Sequence, residues 1–263
     1  MDIGKKRRLN KIFRKDGKAV IVPMDHGVTI GPVKGLVDMQ QTIDKLIAGG
    51  ADAIVIHKGI AGYVDTGNLG LIIHLSGSTK LGPDTNWKVK VCSVKQALRL
   101  GADGVSVHIN VGSNQEPKML EVMGEIADEA SEYGVPLLAM MYPRGPNIKN
   151  EHAPELVKHA ARLGAELGAD IVKTNYTGSV ESFREVVKGC PVPVIIAGGP
   201  KAKDDYGFLR MVYDAIQAGG AGVSIGRNVF QHQNPAGMVK ALRAIVHEKA
   251  TVEEALKLLG ESG

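Results

Sequence analysis

Gly50-Ala51-Asp52-Ala53-Ile54-Val55-Ile56-His57 is a phrase that this chain repeats. It returns as Gly101-Ala102-Asp103-Gly104-Val105-Ser106-Val107-His108 and as Gly168-Ala169-Asp170-Ile171-Val172-Lys173-Thr174-Asn175. A fourth version, Gly220-Ala221-Gly222-Val223-Ser224-Ile225-Gly226-Arg227, follows near the end. Each copy comes after a helix-like stretch (residues 38–48, 94–100, 154–167 and 208–218) and enters a short β-branched run. Near-continuous Val/Ile runs with glycine at the preceding turn are the pattern of buried parallel strands. Four more apolar segments, 19–24, 71–75, 136–141 and 192–197, lie between the copies. Eight strands alternating with helices predict an α/β fold, a single (β/α)8 TIM barrel, with a doubly wound open sheet as the alternative. Residues 53 to 71 leave little room for a full helix, so a loop or one turn is expected there.

The 263 residues suit one such barrel, which takes roughly 250. Glycine, at 33 residues, is the compositional outlier, and its recurrence marks the repeat rather than a linker. With 44% hydrophobic and 23% charged residues the chain is not a disordered one. No apolar run approaches the ~18–20 residues of a membrane span, and the start lacks the apolar core of a secretion signal. Two cysteines, Cys92 and Cys190, match neither a disulfide framework nor a zinc motif, so a reducing cytoplasm is expected. Residues 1–18 hold eight Lys and Arg against two Asp, a net +6 in a chain of net +4, so residues 19–263 carry −2. Two segments follow: a basic N-terminal piece, 1–18, and a catalytic barrel, 19–263. Leu9, Ile12 and Phe13 share a helical face, which suits a short lead-in helix packed on the barrel with its lysines solvated. Binding to nucleic acid or membrane is the rival use of such a cluster, but with 4% aromatic residues no base-stacking platform is visible.

Strand side chains alternate faces, so the repeats can be read for direction. Counting from the Asp (or Gly222), position +3 holds Val55, Ser106, Lys173 and Ile225, and position +5 holds His57, His108, Asn175 and Arg227. The +5 set is polar throughout and falls at carboxyl ends of strands, where barrel enzymes build their sites. Lys173 lies deeper on the same parity. Pointed into the barrel, its ammonium would lose solvation and its amine would gain nucleophilicity, as Schiff-base chemistry requires. Spacing equally allows Lys173 to face the helices, to snorkel outward, or to pair with Asp25 or Asp170. Strand one ends in Pro23-Met24-Asp25-His26-Gly27 and strand five in Tyr142-Pro143-Arg144-Gly145, supplying a carboxylate and a phenol for proton transfer. The same residues could equally be a turn aspartate and a rim aromatic. Strand seven ends in Gly198-Gly199-Pro200-Lys201 and strand eight in Gly226-Arg227, the usual place for a phosphate cradle in a barrel.

The segments VIVPMDHGVTIGPVKGL, HKGI, GLIIHLSG, AMMYPRG, HAARLGAELGADIVKTNYTG, IAGGPK and SIGRNVFQH resemble the archaeal-type class I aldolase family, in order, over residues 9 to 258. The likeness is greatest to its 2-amino-3,7-dideoxy-D-threo-hept-6-ulosonate synthase branch. The resemblance implies a barrel in which Lys173 forms a Schiff base, Asp25 accepts protons and Tyr142 donates them. It places sugar-phosphate contacts at Asp25, His26, Gly27, Val28 and Thr29, at Tyr142, Pro143 and Arg144, and at Gly198, Gly199, Gly226 and Arg227. His57, His108, Asn175 and Lys201 are further residues expected to line the mouth. The branch implies transfer of a three-carbon phosphate fragment from 6-deoxy-5-ketofructose 1-phosphate to L-aspartate semialdehyde, in aromatic amino acid biosynthesis. The fructose-1,6-bisphosphate aldolase branch is the alternative; Met140 and Phe183 stand where that branch is expected to carry tryptophan and glutamate. A metal-dependent aldolase using His57, His74 and His108 is a further rival, but it would leave Lys173 without a task. A non-catalytic sugar-phosphate or nucleic-acid binder is the rival outside catalysis. No cofactor and no metal are expected. The expected partners are a sugar phosphate and an aldehyde acceptor, without nucleic acid or membrane, in a homo-oligomer for which the family suggests a decamer.

Overall fold

The computed structural model describes residues 2–260; residues 1 and 261–263, at the outer ends of the two expected segments, lie outside the described residues. Eight parallel strands close into a barrel in sequence order: β1 (Ala19–Pro23), β2 (Ala53–Ile56), β3 (Gly70–His74), β4 (Gly104–Val111), β5 (Leu137–Pro143), β6 (Ile171–Thr174), β7 (Val194–Ala197) and β8 (Gly222–Ser224), with β8 pairing back onto β1. The open-sheet alternative is thereby set aside. The short interval after β2 holds the single turn Lys58–Ala61. Among the described residues no helix is long and apolar enough to cross a membrane.

Alternation divides the strand residues between two cores. Ile21, Val55, Ile72, Leu138, Ile171 and Ile195 fill the barrel interior, whereas Val22, Ile54, Ile73, Val107, Val172 and Ile196 meet the helices. The helix Ile3–Ile12 closes the lower end: Ile12 is buried in the interior cluster, and Leu9 and Phe13 pack beside it. Lys5 reaches Asp170 at 3.1 Å, while Lys6, Arg7 and Lys11 stay exposed. One apolar face on the barrel and solvated basic residues on the other is the arrangement expected of a lead-in helix.

The aspartates of the repeat have a task that spacing did not reveal. Asp52 accepts the backbone N–H of Val20 at 2.7 Å, Asp103 that of Leu71 at 3.0 Å, and Asp170 that of Leu137 at 2.9 Å. Each carboxylate thus ties the foot of its own strand to the preceding one and satisfies a buried donor.

The fourth copy departs from the other three by one residue. Gly50, Gly101 and Gly168 end their helices with positive φ, but the corresponding conformation belongs to Gly219, not Gly220. Interior parity therefore falls on Ser224 and Gly226. Ile225, expected inside, packs in the outer layer, and Arg227 is not on the strand but opens the helix Arg227–Phe230. Gly222 has φ 126°, and a Cβ there would lie 2.0 Å from the carbonyl oxygen of Ala19. Gly222→Ala is expected to lower stability by roughly 3 kcal/mol or more, since strain and a backbone clash add at the β8–β1 seam. Denaturant unfolding measures this; an unchanged midpoint would contradict it.

Candidate active site

The strand ends converge on a cavity of about 320 Å³, in which Lys173, Asp25 and Tyr142 all take part. Lys173 projects inward from β6 and is 6% exposed. Its open alternatives are resolved by what its neighbours do. Asp25 lies against His26 at 3.5 Å and His74 at 3.7 Å, and Asp170 is held by Lys5 at the other end of the barrel. Burial pushes the lysine down to about 8; Asp25 opposes this, and the positive charges of Arg144 and Arg227 add to it. A sizeable neutral fraction is then present near pH 8, and a neutral amine can add to a carbonyl.

Burial alone would raise the pKa of Asp25, but His74, His26, Lys173 and His57 around it hold the carboxyl below the usual carboxylate range. His74 is itself buried and pushed down to about 4, so it is a neutral imidazole at pH 7, with Nδ1 2.8 Å from the Ser106 hydroxyl. A carboxylate held this way is ionised at neutral pH and is therefore in the form that can accept a proton. Tyr142 is pushed the other way. Burial raises its phenol above the ordinary value against the opposing Arg144, so it stays protonated as a donor. The Arg144 guanidinium sits 4.5 Å from the Tyr142 ring centroid and the His108 ring packs edge-on at 5.0 Å, so the phenol is fixed on two sides. Burial drives His108 well below its usual value, and its Nε2 donates to Asn110 Oδ1 at 2.9 Å.

The loops after β7 and β8 are locked together by one residue that the sequence reading passed over. Asn228 donates to the carbonyls of Gly198 at 2.9 Å and Pro200 at 3.0 Å, and accepts from the N–H of Ala202 at 2.7 Å. Arg227 spans the same gap, donating from Nη2 to the Gly199 carbonyl at 3.0 Å. Its Nε and the hydroxyl of Ser224 are buried without protein partners, and Gly198, Gly199 and Gly226 line the wall beside them. Unpartnered buried donors beside glycine-bared backbone suit an anion. A Cβ on Gly226 would lie 2.6 Å from both His26 Cε1 and the Pro23 carbonyl, so glycine lets β1 and β8 end this close together.

Other expected residues divide. His26, Thr29, Arg144, His108 and Asn175 line the cavity, while Gly27, Val28 and Pro143 carry the backbone past it without lining it. His57 does not face the mouth; it packs edge-on behind His74 at 5.3 Å. Lys201 is also displaced: it is exposed, and its ammonium reaches the Gln231 carbonyl at 3.3 Å, because the loop turns outward after Gly199. Among the described residues no trio of His, Cys, Asp or Glu is gathered at metal-binding spacing, and one ring nitrogen each of His74 and His108 is engaged, with Ser106 and Asn110 respectively. Met140 lies beside Lys173 in the sheet and lines the cavity, whereas Phe183 is buried against Tyr176 under the helices, so only the first of these two positions bears on the site.

Sequence reading also missed Lys80, Lys88 and Glu151. Glu151 accepts from Arg144 Nε at 2.7 Å and from Asn175 Nδ2 at 3.3 Å, bracing the loop after β5. Lys80 and Lys88 enter from the segment around a small antiparallel pair, Ser76–Gly77 with Val89–Lys90, inserted after β3. A larger hollow, about 880 Å³, lies at the opposite end of the barrel beside the lead-in helix. Its acids are already paired, Asp52 with Arg14 and His247, and Asp16 with His247, and its lysines, Lys11 and Lys15, are exposed.

A barrel with an interior lysine of lowered basicity, flanked at the carboxyl ends by a carboxylate and a neutral phenol, is the architecture of a class I, Schiff-base-forming aldolase. The chain belongs to the DeoC/LacD family of aldolases, whose profile matches residues 19–232. It is 48% identical to the 2-amino-3,7-dideoxy-D-threo-hept-6-ulosonate synthase of Halobacterium salinarum, covering 98% of this chain and 97% of that one. It is 43% identical to the 2-amino-4,5-dihydroxy-6-oxo-7-(phosphonooxy)heptanoate synthase of Streptomyces griseus, covering 93% and 90%. A solved Schiff-base-forming fructose-1,6-bisphosphate aldolase superposes with a TM-score of 0.88 at 36% identity, covering 92% of this chain and all of that one.

Proposed function

We propose that the protein is a transaldolase that moves a three-carbon ketonic unit from a deoxyketohexose phosphate, 6-deoxy-5-ketofructose 1-phosphate, to L-aspartate semialdehyde. The observation that carries the reading is Lys173: a buried amine, pushed down to about 8, between Asp25 and Tyr142. Its Nζ adds to the donor ketone, water leaves, and the protonated imine draws in the electron pair of the adjacent carbon–carbon bond. Asp25 takes the proton of the hydroxyl that becomes the departing aldehyde. The resulting enamine attacks the aldehyde carbon of the acceptor, whose oxygen is protonated by Tyr142, and water returns to the imine to free Lys173. With the imine at the carbon beside the phosphorylated one, the loops after β7 and β8 seat the donor phosphate.

The two synthase relatives bear names that differ in a telling way. A 3,7-dideoxy-6-ulosonate has a methyl at C7, so the unit it received was free of phosphate, whereas a 7-phosphonooxy product received a phosphorylated one. The donor is a 2,5-diketone phosphorylated at C1. An imine at C2 or one at C5 breaks the same C3–C4 bond; the first retains the phosphorylated half on the lysine and the second the phosphate-free half. The phosphate-bearing unit expected from the sequence therefore fits the C2 imine, and a 3,7-dideoxy product requires the C5 imine. The reading is tested by mass spectrometry of the product formed from the donor with and without L-aspartate semialdehyde. A seven-carbon amino acid that appears only with the acceptor supports it, and its phosphate content tells which carbonyl faced Lys173. Cleavage of fructose 1,6-bisphosphate with no acceptor-dependent product would replace it with the aldolase alternative.

A further inference from the structure

The cavity has two positive poles, and the proposed mechanism uses one. Arg227 and the loops after β7 and β8 form the first. The second stands half a ring away: Lys88 leads into the short strand that pairs with Ser76–Gly77, directly after β3, so it overhangs β3 and β4. In the closed ring β6 lies midway between β4 and β8, which places Lys173 between the poles. Lys88 is half-buried, and its ammonium donates to the Ser78 hydroxyl and to the Thr85 carbonyl at 2.8 Å. Both partners are neutral, and an ammonium has three donors, so charge and one N–H remain for a ligand. Arg144 differs, since its charge is met by Glu151. A cation at a cavity wall with only neutral partners costs desolvation, which an anionic ligand offsets.

We infer that Lys88, held by Ser78 and Thr85, is the anion subsite for the aldehyde half of the reaction: it binds the carboxylate or phosphate on the chain beyond the bond being made or broken. The inference rests on the class I reading of Lys173 but not on the identity of the acceptor. Burial and the nearby Arg144 lower the pKa of Lys88 against the weaker opposing charges of Asp25 and Asp84, neither of which forms an ion pair with it. A lysine that merely pins the 78–85 loop would serve neutral and anionic aldehydes alike.

The test compares Lys88→Gln and Lys88→Arg with the unaltered enzyme, using L-aspartate semialdehyde, whose carboxylate is its anionic group, and glyceraldehyde 3-phosphate as acceptors that carry an anion, and glyceraldehyde as the one that carries none. Borohydride trapping of dihydroxyacetone phosphate on Lys173 reports folding and lysine reactivity. The expected result for Lys88→Gln is a fall of about 10- to 100-fold in the preference for anionic over neutral aldehydes, as KM, with substantial recovery in Lys88→Arg. An equal loss on all three aldehydes, or a loss of trapping that matches the loss of turnover, overturns the inference. If the unaltered enzyme uses glyceraldehyde 3-phosphate but not aspartate semialdehyde, the synthase reading falls, while the Lys88 preference is still measured on the phosphate.

Discussion

Replacing Lys173 with methionine is expected to reduce turnover by about four orders of magnitude or more and, at pH 6.5, to make the protein more stable. The first effect follows from removal of the buried amine set between Asp25 and Tyr142; Lys80 and Lys88 also line the cavity, but they enter from the insert after β3 and not from the barrel interior. The second follows from the energetics of burial. The folded lysine titrates at about 8 against an ordinary 10.5, so the folded state holds the proton less tightly than the unfolded chain. Below pH 8 both states are protonated and folding bears the full cost, on the order of 3 kcal/mol. The cost declines as pH rises from 8 to 10.5, and above that both states are neutral. Denaturant titrations at pH 6.5 and pH 9.5 would show a stability gap between Lys173→Met and the unaltered chain that narrows at the higher pH. A variant less stable at pH 6.5 would show that Lys173 is not the strained group described. The same titration shapes activity: kcat/KM for the donor rises with pH to a limb near 8, because attack needs the neutral amine.

Tyr142→Phe is expected to lower kcat by about 10²- to 10³-fold while leaving the borohydride-trapped donor on Lys173. The aromatic ring would keep its contacts with Arg144 and His108, so stability should change by less than about 1 kcal/mol. Protonation of the acceptor oxygen, not imine formation, is the step the phenol serves. A variant with unaltered kcat would move the donor role elsewhere in the cavity, and one that fails to trap would make Tyr142 a partner in imine formation instead.

Much of this site is legible along the chain because strand geometry is local. A period of two puts Lys173 on the same face as Asn175, and the repeat relates that face to Ser106 and His108 without any tertiary knowledge. The same reading fails in the fourth copy. Gly219, Gly220 and Gly222 offer more than one place to end a helix, and a single-residue slip reverses every side chain that follows, which is how Ile225 came to be expected inside. His57 and Lys201 lie beyond the last residue of their strands, where alternation no longer fixes direction, although Asn175, one residue past Thr174, keeps it.

The amino-acid sequence by itself determined the eight-fold alternation, the shared parity of Lys173 and Asn175, and the set of strand ends at which chemistry could gather. These depend on periodicity, on glycine at turns and on burial of β-branched runs, all properties of short segments. Only the tertiary structure decided which of those ends meet. Closure of the ring brings β8 back to β1, so that Gly226 abuts His26, and it folds the insert after β3 over the mouth, so that Lys88 faces the loops of β7 and β8 across Lys173. Such contacts join residues more than a hundred positions apart, and their geometry comes from strand count and register around the whole barrel, which no local pattern encodes.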